Sequence, residues 1–359
     1  MARLAPEDKY IGLAEESILC KNPQELDLFD GIEPSAEVLQ ALASKAEEAA
    51  LGIKGITNSE GGDASYGQNN VAIATSNGFA GEYKTSMSSI STSVLAGEGT
   101  KMERDYDYSS TRFAGDLESP EKIGKTAAEK ALKRLNPRRV KTCIVPVIFD
   151  PRVAKSLVGS FSSAINGASV ARGSTFLKNS MGKNIFKSGI NIINDPHIRR
   201  GLASKPYDAE GVANYKMNLV EDGVLQNWLL DIRSANQLSL KTNGCASRGL
   251  ASTPSPSCSN LYLANGTETA KNLIGSVKSG FYVTETFGMG INIITGDYSQ
   301  GASGFWVENG EISYAVSEIT IAGNLEEMFM QATPANDLEF RYSTNSPTLL
   351  IEKMTVAGE

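Results

Sequence analysis

In residues 35–51, SAEVLQALASKAEEAAL, apolar positions recur every three or four residues, at Val38, Leu39, Leu42, Ala46 and Ala49. That spacing predicts an amphipathic helix, with Ser35 as its N-cap and Gly52 as its stop. From Ile53 to about Arg112 the period shortens to two, in β-branched runs such as NVAIATSNGFAGEYKTSM, and Asn77-Gly78 supplies a hairpin turn. An antiparallel meander is expected there. Ser119-Pro120-Glu121 then starts a helix that should run to about Leu135, because proline suits the first helical position and a carboxylate suits the N-terminal dipole. The segment NPRR breaks the chain before the apolar run VKTCIVPVIFD, which predicts a strand.

Asp150-Pro151 opens another helix, whose Val153, Leu157, Phe161 and Ile165 form one buried face. Beyond it the pattern is mostly β. Asp222-Gly223 and Asn309-Gly310 each separate two apolar runs and tolerate the positive φ of tight hairpins. GTETAKNLIGSVKSG and NLEEMFMQA are the later helix candidates, and STPSPSCS (252–259) reads as a flexible loop. GDYSQGASG (296–304) reads as a polar loop with Asp297, Tyr298, Ser299 and Gly301, leading into a hairpin that Trp306 anchors in the core. The expected class is α+β. An N-terminal α+β domain (1–139) has antiparallel strands and helices, and a β-rich domain of hairpins follows (140–359).

Composition changes this picture little. The 359 residues are 41% hydrophobic and 21% charged, as in ordinary globular chains. No stretch reaches the ~20 apolar residues of a membrane span and the N-terminus lacks a signal-peptide pattern, so a cytoplasmic location is expected. The net charge of −7 argues against a direct grip on nucleic acid, and KRLNPRRVK (133–141) reads as a solvated helix end. Cys20, Cys143, Cys245 and Cys258 show no Cys-x-x-Cys pairing and read as reduced thiols.

Candidate chemistry is sparse. The single histidine, His197 in NDPHIRRG, cannot build a conventional catalytic zinc site, and it reads as exposed or structurally bonded. No Gly-x-Ser-x-Gly elbow, Gly-x-x-x-x-Gly-Lys loop or dinucleotide fingerprint occurs. Asp297 and Glu318 are carboxylates that could do acid–base work, yet among 41 acidic residues a solvated surface role is the simpler reading.

Taken in order, RDYDYSSTR, PVIFDPRVAKSLVGSF, STFLKNSMGK, GLASKPYDAEGV, EDGVLQNWLLD, GDYSQGASGFWVENGEI and VSEITIAGNLEEMF resemble the TldD/PmbA family, in its PmbA (TldE) branch. The resemblance covers nearly the whole chain, and it implies an α+β N-terminal domain followed by a β-rich, barrel-like C-terminal domain. It implies a cytosolic protein associated with a metalloprotease that processes or degrades peptides, active as a complex of a TldD-type and a PmbA-type subunit. It also implies that zinc sits in the TldD-type partner, on a His-Glu-x-x-x-His helix followed by a later cysteine ligand. Here the matching helix, VAKSLVGSFSSAINGASVARG, has no histidine or glutamate, and Gly159, Ser160 and Ala164 stand near the ligand and base positions. RYSTNSPTLLIEKM has no cysteine where the later ligand is expected. The chain is therefore expected to have no catalytic residues, cofactor or metal of its own. The family's N-terminal domain normally begins with further helix and strand, so the chain reads as shortened at its start.

Three functions follow: the PmbA-type subunit of a peptidase complex, an autonomous peptidase with an atypical site, or a protein-binding modulator related to DNA gyrase. For the first, Asp297, Tyr298, Ser299 and Gly301 are candidates for a peptide groove shared with the partner. The isolated chain could also pair with itself as a homodimer.

Overall fold

A computed structural model of the chain describes residues 7–359. Helix α1 (Ala36–Leu51) is capped by the Ser35 hydroxyl, which accepts from the Val38 N–H. Strands β1 (Ile56–Ala74), β2 (Ala80–Ala96) and β3 (Glu103–Thr111) form an antiparallel sheet in the order β1-β2-β3. Helix α2 (Pro120–Lys133), capped by Ser119, packs with α1 on that sheet. The contact of the two helices is close: a Cβ on Gly124 would lie 2.2 Å from the Ala46 carbonyl oxygen. This draws the buried face of α1 toward Ala46 and Ala50, whereas Val38, expected on that face, is about half exposed.

Strand β4 (Cys143–Phe149) leads into α3 (Pro151–Ala164), capped by the Asp150 carboxylate. As the spacing predicts, Val153, Leu157, Phe161 and Ile165 are all buried. Two helices that the apolar period did not reveal follow from local caps: α4 (Gly167–Ala171), capped by Asn166, and α5 (Ile232–Leu238), capped by Asp231. Between and after them run β5 (Ile192–Asp195), β6 (Met217–Glu221), β7 (Val224–Leu225), β8 (Ala246–Ser247), β9 (Ser255–Pro256) and β10 (Asn260–Leu263). The segment expected to be a flexible loop contributes β9, which pairs with β8.

The chain continues through α6 (Ala270–Gly275), β11 (Ser279–Phe287), β12 (Asp297–Glu308), β13 (Glu311–Asn324), α7 (Leu325–Met330), β14 (Ala332–Pro334), β15 (Thr344–Asn345) and β16 (Leu349–Ala357). Strand β15 joins a five-stranded sheet, β15-β10-β5-β6-β7. The order β13-β12-β11-β4-β16, with β16 also pairing β13, closes a five-stranded barrel, and β14 lies outside β16. The expected α+β class with a barrel in the C-terminal part is observed. All three hairpin turns form at the anticipated pairs, with Gly78 at φ 94° between β1 and β2, Asp222 and Gly223 at 48° and 79°, and Asn309 and Gly310 at 52° and 83°.

One expectation is corrected. Asp297 to Gly301 are the first residues of β12, not a loop. The glycines that suggested turns answer a packing demand instead: a Cβ on Gly301 would lie 2.1 Å from the Phe287 ring, and one on Gly304 would lie 2.0 Å from the Tyr282 carbonyl oxygen. Trp306, on the same strand, is buried.

Candidate functional site

Helix α3 lies between the barrel and the five-stranded sheet, so its surroundings define what the chain can do chemically. At the positions where the family resemblance places ligands and base, Ser160 is buried and its hydroxyl donates to the Ser156 carbonyl oxygen at 2.9 Å. Ala164 is fully buried, and a Cβ on Gly159 would meet nothing within 4 Å. Neither glycine nor alanine offers a side-chain lone pair, and the serine is turned back on its own helix. This donor set does not fit zinc. Among the described residues no group of three or more histidine, cysteine, aspartate or glutamate side chains is placed to hold a metal ion.

His197 is tied into the scaffold: its Nε2 lies 2.7 Å from Asn214 Oδ1, and Asn214 in turn donates to the Lys205 carbonyl oxygen. Cys245 is buried and its thiol is pushed up to about 12 by burial, which makes it an inert core thiol. Cys258 Sγ accepts from the Ser162 hydroxyl of α3 at 3.5 Å.

The four residues singled out for a peptide groove sit together at the start of β12 but face different ways. Asp297 is exposed; its carboxylate accepts from Thr295 Oγ1 at 2.6 Å and Asn324 Nδ2 at 3.4 Å, bracing the turn before β12. Tyr298 is buried, Ser299 is exposed, and Gly301 lies against Phe287. Their backbone is already paired with β13, and Ser299 N–H donates to Gly290 O, so β12 has no free edge for an added strand here. Glu318 is exposed and meets Arg139 in a surface ion pair.

The structure also assembles groups that local sequence did not flag. Asp105 of β3, 2% exposed, accepts from both terminal guanidinium nitrogens of Arg152 from α3, at 2.7 and 3.0 Å, and from Arg134 at 3.3 Å. Burial alone would raise the Asp105 carboxyl, but the Arg152 hydrogen bonds and charge outweigh it and hold the group below its ordinary value. Beside this pair lies a cavity of about 600 Å³ lined in part by Lys130, Lys133, Arg134 and Tyr282. About one helical turn further on, the Lys155 amine lies 3.2 Å from the centre of the Tyr342 ring and 3.4 Å from the Tyr108 hydroxyl. Burial, then the charges of Arg341 and Arg152, push this amine down to about 8. Glu210, near Asp208 and Asp231, is pushed up to about 7, chiefly by burial. Only the charged residues themselves were visible in sequence; the meeting of Asp105 with Arg152 and of Tyr108 with Lys155 depends on β3 and α3 coming together.

Comparison with known proteins decides the family. Residues 29–135 match the PmbA/TldA metallopeptidase central domain, and residues 142–358 match the PmbA/TldA metallopeptidase C-terminal domain. The chain belongs to this family. It is 40% identical over 361 residues to the metalloprotease PmbA of Escherichia coli O157:H7, an alignment covering 100% of this chain and 78% of that protein. A Bacteroides thetaiotaomicron crystal structure, described as a modulator of DNA gyrase, superposes with a TM-score of 0.91 at 27% identity, over 99% of this chain and 80% of that one. The fold is shared as well with TldE from Thermococcus kodakarensis, at a TM-score of 0.86, 22% identity, and coverage of 100% and 82%.

Proposed function

We propose that the chain is the PmbA/TldE-type subunit of a two-component cytoplasmic peptidase, shaping the peptide chamber while a TldD-type subunit carries the zinc. The observation that carries this reading is α3. Its packing face is intact at Val153, Leu157, Phe161 and Ile165, while Gly159, Ser160 and Ala164 offer no metal-binding set. Scaffold and chemistry have parted on one helix. Division of the chain near Arg139 into an N-terminal domain (1–139) and a C-terminal domain (140–359) belongs to the same reading, supported by the family segments that end at 135 and begin at 142. Exposed Asp297 and Ser299 would meet a peptide through their side chains, with Tyr298 and Gly301 behind them.

Mixing the purified chain with a TldD-type partner tests the reading. Alone, the chain should leave unstructured peptides intact and bind no stoichiometric zinc; the mixture should cleave them, and a chelator should stop it. A partner equally active by itself would remove the subunit role. Chelator-sensitive cleavage by this chain alone would establish the autonomous peptidase instead. Kinship with a protein described as a gyrase modulator motivates a second reading, binding to a protein partner, since the charge of −7 disfavours direct DNA contact.

A further inference from the structure

Beside the exposed side of α3 lies a cavity of about 440 Å³, within the range of roughly 300–1,000 Å³ usual for small-ligand sites. Ser156 of α3, Thr286 of β11, and Tyr298 and Gln300 of β12 line it, with Met289 and Ile291 from the connection between those strands. No acidic or basic side chain lines it, whereas lysine, arginine and aspartate line both cavities at the β3–α3 junction. Tyr298 is 2% exposed, and its hydroxyl has no hydrogen-bond partner within the protein. Burial raises its pKa, so the phenol keeps its proton and stays a donor.

Gln300 fixes the rim. With its amide turned to suit its neighbours, its nitrogen donates to Phe287 O and Gly288 O, and its oxygen accepts from Gly290 N–H, each at 3.0–3.1 Å. The turn so held presents Met289 fully to solvent, with Phe287 and Ile294 each more than half exposed. Exposed apolar side chains clustered around a cavity mark a contact site, and the thioether of methionine adapts to varied partners.

We propose that this cavity is a subsite for an uncharged, apolar residue of a peptide. Its side chain lies against Met289 and Ile291, and its main-chain amide is received by the hydroxyls of Ser156 and Thr286. This assignment rests on the peptide-handling reading above. A charged side chain entering here would shed water with no counter-charge to meet it.

The test is an NMR titration of the full chain, labelled at its methionine methyls, with N-acetyl-leucine amide, N-acetyl-lysine amide and N-acetyl-glutamate amide. The leucine compound should shift the Met289 methyl saturably and bind at least roughly fivefold tighter than either charged one. Ser156→Phe, which fills the mouth from an exposed helix position, should abolish the shift; Met289→Asp, at a fully exposed position, is a second variant and should weaken it. Equal binding of the charged compounds, no saturable shift, or full affinity in both Ser156→Phe and Met289→Asp would overturn the subsite. The titration needs only this chain, so leucine binding that persists when the partner mixture fails to cleave removes the subunit role alone. Undiminished cleavage of leucine peptides by a mixture containing Ser156→Phe removes the subsite alone.

Discussion

Strands β1 and β12 are both long, but they meet opposite fates at their edges. In its sheet β1 has a single neighbour, β2, and none of its 19 residues is buried; it carries Glu60, Asp63, Asn69 and Asn70 along an open flank. Strand β12 pairs on both sides inside a closed barrel and buries Tyr298, Gln300, Ala302 and Trp306. An open edge is kept from pairing with other chains by polar and charged side chains, whereas closure removes the edge altogether. Polar sequence can therefore mark either a surface edge, as in β1, or an internal strand whose neighbours crowd it, as at the start of β12. The difference lies in partners, which a local pattern does not record.

The sharpest way to break this contrast is a valine at one glycine of each strand. Gly304→Val would drive Cβ into the Tyr282 carbonyl, and we expect a loss of ~3 kcal/mol or more, or failure to fold. Gly67→Val has nothing within 4 Å to strike and should stay within about 0.5 kcal/mol of the parent. Urea unfolding of both variants decides; similar losses would refute the contrast.

Asp105 and Arg152 join the open sheet to the barrel side of the molecule, so breaking them tests how far the two regions depend on each other. Asp105→Asn leaves two guanidinium groups short of their partner and should cost ~3 kcal/mol. The same carboxyl makes a pH prediction. Its folded pKa is depressed, so its contribution is full above the unfolded carboxyl value and is lost as pH falls through the folded value. The Asn variant should lose this part of the acid sensitivity in unfolding curves recorded from neutral pH downward.

Smaller effects sharpen the reading of turns and of α3. Gly310→Val should cost ~1 kcal/mol or more, because φ is 83° and its Cβ would meet the Gly275 carbonyl oxygen at 2.8 Å. Ser299→Ala, at an exposed side chain of β12, should leave the melting temperature unchanged. Lys155 should titrate near 8, well below ordinary lysines, when its amine is dimethylated with a carbon-13 label and followed by NMR. Its folded pKa lies below the unfolded one, so between about pH 8 and the ordinary lysine range its contribution to stability rises with pH. Lys155→Met should remove that rise.

How much was legible follows from range. Ser35, Ser119 and Asp150 announced their helices because a cap acts on a backbone N–H two or three residues away. Asn309-Gly310 and Asp222-Gly223 announced hairpins because the turn itself demands positive φ. The barrel's membership was not legible from local pattern, since β4 pairs with strands far along the chain; family resemblance alone suggested it. The same division holds at the site. A helix lacking histidine and glutamate can be read directly from α3, but the Asp105–Arg152 pair spans 47 residues, and the Tyr298 cavity exists only once the turn held by Gln300 stands beside α3.

Closure of the barrel also sets an order of events during synthesis. Strand β4 is made before α3, yet its two barrel neighbours, β11 and β16, come from the last third of the chain, and β16 is the final element. The sheet of β1 to β3 with its two helices relies on contacts between consecutive elements and can form while the rest is still being translated. The apolar β4 must wait unpaired until β11 and β16 have both been made, so closure of the barrel at β16, β4 and β13 follows the synthesis of all its strands.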